Sequence, residues 1–115
     1  MNTKLWIILV ALGWTTMTSA QTVPDYVPVN GLIGWWPFNG NANDMSGNGR
    51  HGSVNGPVLT NDRTGTPNSA YYFDGFNDLI SLSPLNVSFA NGLTVSVWCK
   101  LEQSTGNAQF LVARG

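Results

Sequence analysis

Residues Leu93–Leu101 read LTVSVWCKL. Side chains of a β-strand point alternately to its two faces, so a period of two is the signature of a strand. Here the alternation places Val95, Val97 and Cys99 on one face and two hydroxyl residues with Trp98 on the other. The stretch therefore predicts a strand that is covered mainly on one side.

The segments upstream of this stretch also favour strands over helices. Leu32–Phe38 is a short aromatic run and predicts a first strand, and Asn39–Gly56, which is dense in Gly and Asn, predicts an ordered loop. Ala70–Phe73 and Asp78–Leu82 flank a turn sequence and predict a hairpin. No segment has a sustained helical period, so the chain is expected to be all-β, an antiparallel β-sandwich of the jelly-roll type.

Composition narrows the class of protein further. Charged residues make up 10% of the 115 residues, against about 25% in ordinary soluble domains, which argues against coiled coils. A formal net charge of -1 offers no basic surface for nucleic acid. The hydrophobic fraction of 43% is too high for intrinsic disorder.

The first twenty residues have the layout of a secretory signal peptide. Lys4 precedes the apolar run Leu5–Trp14, and small residues end the segment at Ala20. A membrane span needs about 20 apolar residues, so this run is too short to be one. We predict a signal peptide at residues 1–20, a mature chain without a membrane span, and a secreted or cell-surface location.

The mature chain is expected to begin with an extended leader over residues 21–30, which contains two prolines, and to continue as one domain over residues 31–115. Cys99 is the only cysteine. An odd cysteine in an exported protein indicates a missing disulfide partner or a reactive thiol. The alternative is a free thiol that packs as a small hydrophobic side chain.

The loop Asn39–Gly52 is the best candidate for a metal site. Ca²⁺ takes six to eight oxygen ligands, and glycines allow backbone carbonyls to turn inward. Asp44 and Asn48 are the first choices for side-chain ligands. In the alternative, Asp44 makes side-chain turns with the amides of Ser46 and Gly47 and fixes the loop without metal.

Aromatic residues are the candidates for ligand binding, because Trp faces stack on sugar rings. Trp35, Trp36 and Trp98 are the predicted ligand-binding residues. Alternation predicts that one of Trp35 and Trp36 lies in the core and the other on the opposite face. A retaining glycosidase needs two adjacent carboxyl groups, and Glu102 is the only glutamate. We therefore predict no catalytic residue and no enzyme activity in this segment.

Five motifs, taken in order, resemble the LamG-like jelly-roll family of the concanavalin A-like lectin and glucanase superfamily, which includes laminin G domains and pentraxins. They are GWWPF at residues 34–38, DMSGNGRHG at 44–52, AYYFDG at 70–75, DLI at 78–80 and LTVSVW at 93–98. The resemblance covers residues 32–115.

The resemblance implies two stacked antiparallel sheets, often a structural calcium ion, and binding of carbohydrate or matrix ligands. It also implies an amino-terminal fragment whose sandwich is incomplete at the C-terminus, because the strand that matches Phe110–Arg114 lies near the middle of family modules. Pentraxin-like relatives bridge a cysteine at the position of Cys99 to one further along, so its partner would lie outside this chain. In that branch the calcium ligands come from later segments.

Together, these observations predict a non-catalytic binding module for carbohydrate or another extracellular ligand, with calcium as a candidate cofactor. Two alternatives remain open at this point. The chain is an accessory domain of a larger secreted glycoside hydrolase, or it is an adhesion or structural module whose sheet face meets another protein.

Overall fold

The structure, a computed structural model, describes residues 22–88, 90–102 and 111–113. The predicted signal peptide lies outside the described residues. The described part is all-β and contains no helix. Its four strands are β1 (Ser53–Asn55), β2 (Val58–Thr60), β3 (Ala70–Tyr72) and β4 (Leu79–Ser81).

The strands form two antiparallel pairs. β1 pairs with β4, with Val54 opposite Ile80, and β2 pairs with β3, with Leu59 opposite Tyr71. Because β1 and β2 follow each other closely, as do β3 and β4, both pairs lie along one antiparallel ribbon. The ribbon is interrupted between β1 and β2, where Gly56 and the buried Pro57 lie opposite the longer loop between β3 and β4.

The predicted hairpin between Ala70–Phe73 and Asp78–Leu82 is wrong in its pairing, although both strands exist. The Asp78 carboxylate accepts the Asp74 backbone N–H at 2.9 Å, and the Asp74 carboxylate accepts the Phe76 N–H at 2.9 Å. These bonds close a local loop and leave β3 and β4 to pair with β2 and β1. β1 also lies inside the stretch that was expected to be loop.

The turn of the ribbon is residues 61–69, between β2 and β3. One carboxylate oxygen of Asp62 accepts the backbone N–H groups of Thr64 at 2.8 Å and Thr66 at 2.9 Å. The Thr64 hydroxyl and these amides lower the pKa of Asp62. Ser69 N–H donates to the Thr60 carbonyl at 3.0 Å, which closes the turn.

The predicted first strand, Leu32–Phe38, is not a strand. Its backbone is bonded by side chains from the following loop, and Phe38 has a φ of 56°, which takes the chain out of the extended conformation. The Phe38 ring packs edge-on against Tyr71, with centroids 5.3 Å apart. Gly40 N–H donates to the Asn68 carbonyl at 2.7 Å. The segment thus docks beside β3 without joining a ladder.

The predicted strand Leu93–Leu101 is also absent from the described structure, although it carries the clearest alternation in the sequence. Val95 and Val97, which were expected on a covered face, are 56% and 51% exposed. Cys99 is exposed as a free thiol. A strand satisfies its backbone groups only by pairing, and no described strand pairs with this segment.

The leader differs from the expected extended form. Val27 N–H donates to the Pro24 carbonyl at 2.9 Å, and Leu32 N–H donates to the Val29 carbonyl at 3.2 Å. Each bond closes a tight turn of the i to i+3 kind. The prolines therefore mark turns in residues 22–32 and not a continuous extended stretch.

The buried part of the described structure is small. Ala42 and Asp44 are 3% and 5% exposed, respectively. Gly52 N–H donates to the Ala42 carbonyl at 2.8 Å, and a Cβ at Gly52 would lie 2.7 Å from Ile80 Cγ2. The core thus sits where the glycine-rich loop meets β4. The described residues include no helix with the length and apolar character of a membrane span.

Candidate functional site

A single carboxylate organises the glycine-rich loop. Oδ1 of Asp44 accepts the backbone N–H groups of Trp35 at 3.0 Å and Ser46 at 2.9 Å, and Oδ2 accepts that of Arg50 at 3.0 Å. The Asp44 N–H in turn donates to His51 Nδ1 at 3.2 Å. Short polar side chains commonly close turns in this way. We call Asp44–Arg50 the Asp44 loop.

The surroundings of Asp44 keep it ionised. Burial raises the pKa of its carboxyl, but the backbone amides of Trp35, Ser46 and Arg50 and the Ser46 hydroxyl outweigh burial and lower the pKa to about 2. Hydrogen bonds to the charged form of a carboxylate favour that form. Asp44 is therefore a fixed negative charge at neutral pH and not a proton donor or acceptor.

The Asp44 loop also holds the segment before it. Asn48 Nδ2 donates to the carbonyls of Leu32 at 2.9 Å and Ile33 at 3.1 Å. Arg50 Nη1 donates to the Ile33 carbonyl at 2.6 Å, and Trp36 Nε1 donates to the Arg50 carbonyl at 2.7 Å. Backbone groups that a strand ladder would satisfy are thus satisfied by side chains.

Trp35 and Trp36 are both half-buried. The expectation of one core and one opposite-face tryptophan is therefore not met, because the segment is not a strand. A Cβ at Gly34 would overlap the Trp36 ring at Cη2, so a side chain there would require the indole to move. Trp35 Nε1 is buried and has no hydrogen-bond partner among the described residues.

The Asp44 loop is held by protein groups at the residues where the sequence predicted calcium ligands. Both carboxylate oxygens of Asp44 already accept backbone N–H groups, and Asn48 engages its neighbours through its amide nitrogen. Within the described residues no three acidic, His or Cys side chains come together as a metal site. Of the two readings of the sequence, the Ser46 side-chain turn is present, and calcium binding stays a prediction.

Trp98 has surroundings unlike those of the other two tryptophans. Its side chain is 83% exposed, and the Arg63 guanidinium carbon lies 4.8 Å from the centroid of its ring. Among the described residues no ring contact joins Trp98 to Trp35 or Trp36. The structure therefore brings Trp35, Trp36, Asp44 and Asn48 together and places Trp98 with a residue of the ribbon turn.

Sequence reasoning missed Arg63. The pattern of residues 61–69 indicates a turn, and nothing in it points to a tryptophan 35 positions further along the chain. Cys99, next to Trp98, has no partner in the chain because it is the only cysteine. Its predicted disulfide with a residue outside this chain stays a prediction.

Comparison with known proteins adds no relative. No family model matches the chain, and no curated protein and no solved structure is significantly similar to it.

Proposed function

We propose that this chain is a non-catalytic binding module of a secreted or cell-surface protein, and that its ligand is a carbohydrate. The fold proposed for it is the LamG-like β-sandwich that its motifs resemble, and the secreted location rests on the signal-like residues 1–20. The observation that carries the proposal is the open indole of Trp98.

Trp is a large side chain that is highly buried on average, yet Trp98 is 83% exposed. Burying an aromatic side chain of this size is strongly favourable, so an exposed one offers binding energy to a partner. An indole presents a flat apolar face and a polar N–H at its edge. A sugar ring, which has an apolar face and polar rims, matches that combination.

Trp35 and Trp36 take a supporting place in this proposal. Both are half-buried, and Trp36 already donates its indole N–H to the Arg50 carbonyl. Less of their surface is left for a ligand than at Trp98. The order of importance for binding is therefore Trp98 first and the pair Trp35 and Trp36 second. Calcium is not required, because the Asp44 loop is closed by protein groups.

The proposal assigns no catalytic residue. Asp44 and Asp62 bind backbone amides of their own turns, and the carboxylates of Asp74 and Asp78 do the same in the loop between β3 and β4. A glycosidase needs a pair of carboxyl groups that face the substrate. An accessory domain of a larger glycoside hydrolase would use the same Trp98 surface.

A glycan-array experiment tests the proposal. The full chain, its Trp98→Ala variant and its Phe76→Ala variant would be compared on one array. Phe76 is the matched control, because it is an equally open aromatic residue, 91% exposed, in a different turn. We expect Trp98→Ala to abolish glycan binding and Phe76→Ala to retain it. Binding that survives Trp98→Ala, or no binding to any glycan, would overturn the proposal.

A further inference from the structure

The Arg63 guanidinium and the Trp98 indole form a cation–π pair, and Arg63 has no ion-pair partner among the described residues. Arg63 lies in the turn between β2 and β3, and its guanidinium carbon is 4.8 Å from the Trp98 ring centroid. We propose that this pair is a subsite for an acidic saccharide, in which Arg63 binds the carboxylate of a uronic acid and Trp98 stacks on a sugar ring. The inference rests on the proposed function and specifies its ligand class.

Arg63 has no acidic partner in the described part of the chain. The ion pair found there joins Lys100 to Glu102 at 3.3 Å. Asp62, the neighbour of Arg63, directs Oδ1 into its own turn, where Thr64 and Thr66 donate to it. The guanidinium charge is therefore available to a ligand.

The Trp98 indole restricts the orientation of the Arg63 guanidinium before a ligand binds. A guanidinium over an aromatic face gains cation–π attraction of about 0.5–1 kcal/mol at exposed sites. Stacking uses the face of the planar group and leaves the N–H donors along its edge free. Less side-chain freedom is then lost when those donors bind an acceptor.

The free edge of the Arg63 guanidinium matches the geometry of a carboxylate. Arg binds carboxylates through two parallel N–H···O bonds, and such charge-assisted bonds are roughly twice as strong as neutral ones. Trp98 keeps its second face open, since the side chain is 83% exposed. Two adjacent sugars of one chain would engage the pair, one ring on the indole and the carboxylate of its neighbour on the guanidinium.

The overall charge of the chain does not attract an acidic ligand. The chain has a formal net charge of -1, so long-range attraction does not draw an acidic polymer to it. Recognition of an acidic saccharide must therefore come from a local site. Lys100, two residues after Trp98 in the sequence, is paired with Glu102, which leaves Arg63 as the group for the carboxylate.

The test measures calorimetric binding of the full chain to oligomers of galacturonate, glucuronate and mannuronate, each beside its neutral methyl ester. The ester keeps the sugar rings and replaces the charged carboxylate with a neutral ester group. We expect the acid form to bind more tightly than the ester. Arg63→Gln should weaken acid binding by about tenfold and leave ester binding unchanged, since a hydrogen bond to a charged group is lost.

Two further variants sharpen the result. Arg63→Lys keeps the charge but not the two-pronged geometry, and should fall between the wild type and Arg63→Gln. Lys100→Gln is the matched control and should leave the acid-to-ester ratio unchanged, because Lys100 is paired with Glu102. Circular dichroism of each variant confirms that the fold is kept.

The failures of the two proposals are distinguishable. If Arg63→Gln binds acid as tightly as the wild type, or if acid and ester bind equally, the acidic subsite is overturned. The carbohydrate proposal still stands in that case if Trp98→Ala loses saccharide binding. If neutral glycans bind and no uronate oligomer does, the acidic subsite is likewise overturned. If no saccharide binds, both proposals fail.

Discussion

The Asp44 loop and the segment Leu93–Leu101 differ in what satisfies their backbone groups. In the Asp44 loop one carboxylate accepts three backbone N–H groups, and Asn48 and Arg50 donate to carbonyls of the preceding segment. The segment Leu93–Leu101 has the alternation of a strand, but no described strand pairs with it and its residues are exposed. In the described structure, side chains thus bond the backbone of the Asp44 loop, whereas the hydrophobic alternation of Leu93–Leu101 is not accompanied by strand pairing.

The largest effect is expected at the centre of the Asp44 loop. Asp44→Ala removes the acceptor of three backbone N–H groups, in a position that is 5% exposed. Leaving buried donors unsatisfied costs about 1–3 kcal/mol each, part of which water recovers once the loop opens. We expect the free energy of unfolding in urea to fall by about 3 kcal/mol. Asp25→Ala, an exposed control, should change it by less than about 0.5 kcal/mol.

A loss below about 1 kcal/mol for Asp44→Ala would show that the loop does not depend on its carboxylate.

Acid should reveal the same carboxylate. The pKa of Asp44 is lowered from 3.8 to about 2 in the folded chain, so its contribution to stability is complete above the unfolded pKa. The contribution is lost as pH falls through about 2, and amounts to about 2 kcal/mol. Urea unfolding of wild type and Asp44→Ala between pH 7 and pH 2 measures it as the difference between the two curves. A difference that does not change with pH would contradict the assignment.

A polar substitution in the strand-like segment should have a much smaller effect. Val97 is 51% exposed, so Val97→Asn should change the free energy of unfolding by less than about 0.5 kcal/mol. Ile80→Asn is the contrasting variant, because Ile80 pairs with Val54 and lies against Gly52. Burying an unpaired amide there should cost about 1–3 kcal/mol. A loss of about 1–3 kcal/mol at Val97 as well would mean that Val97 packs in a core.

The smallest effect is expected from calcium. The Asp44 carboxylate oxygens are occupied by backbone N–H groups, so thermal unfolding with calcium and with a chelator should give the same midpoint. A ligand that binds the folded state raises that midpoint in proportion to its occupancy. A clear rise with calcium would restore Asp44 and Asn48 as metal ligands.

The sequence predicts several features of this structure correctly. Its turn residues and short apolar runs indicate an all-β chain, which the described residues confirm. The positions of β3 and β4 fall inside the predicted runs. The side-chain turn between Asp44 and Ser46 also follows from residue types two positions apart, because such a turn is a local interaction.

The remaining features depend on contacts that no local pattern encodes. Alternation indicates which side chains share a face but not which strand lies alongside. The predicted pairing of β3 with β4 is therefore wrong. The paired strand predicted at Leu93–Leu101 is absent from the described structure. The bond from Asn48 to Leu32 spans 16 positions, and Arg63 meets Trp98 across an even longer separation. Each is a tertiary contact between residues that are unremarkable in their own segments.

The central claim is that Asp44 holds the backbone of its loop, whereas Leu93–Leu101 is unpaired. Amide hydrogen exchange followed residue by residue tests this claim most directly, because protection reports the free energy of local opening. We expect slow exchange at Trp35, Ser46 and Arg50, whose N–H groups are bound to Asp44. We expect exchange near the unprotected rate at Val95 and Val97. Protection of Val95 and Val97 equal to or above that of the Asp44-bound amides would contradict it.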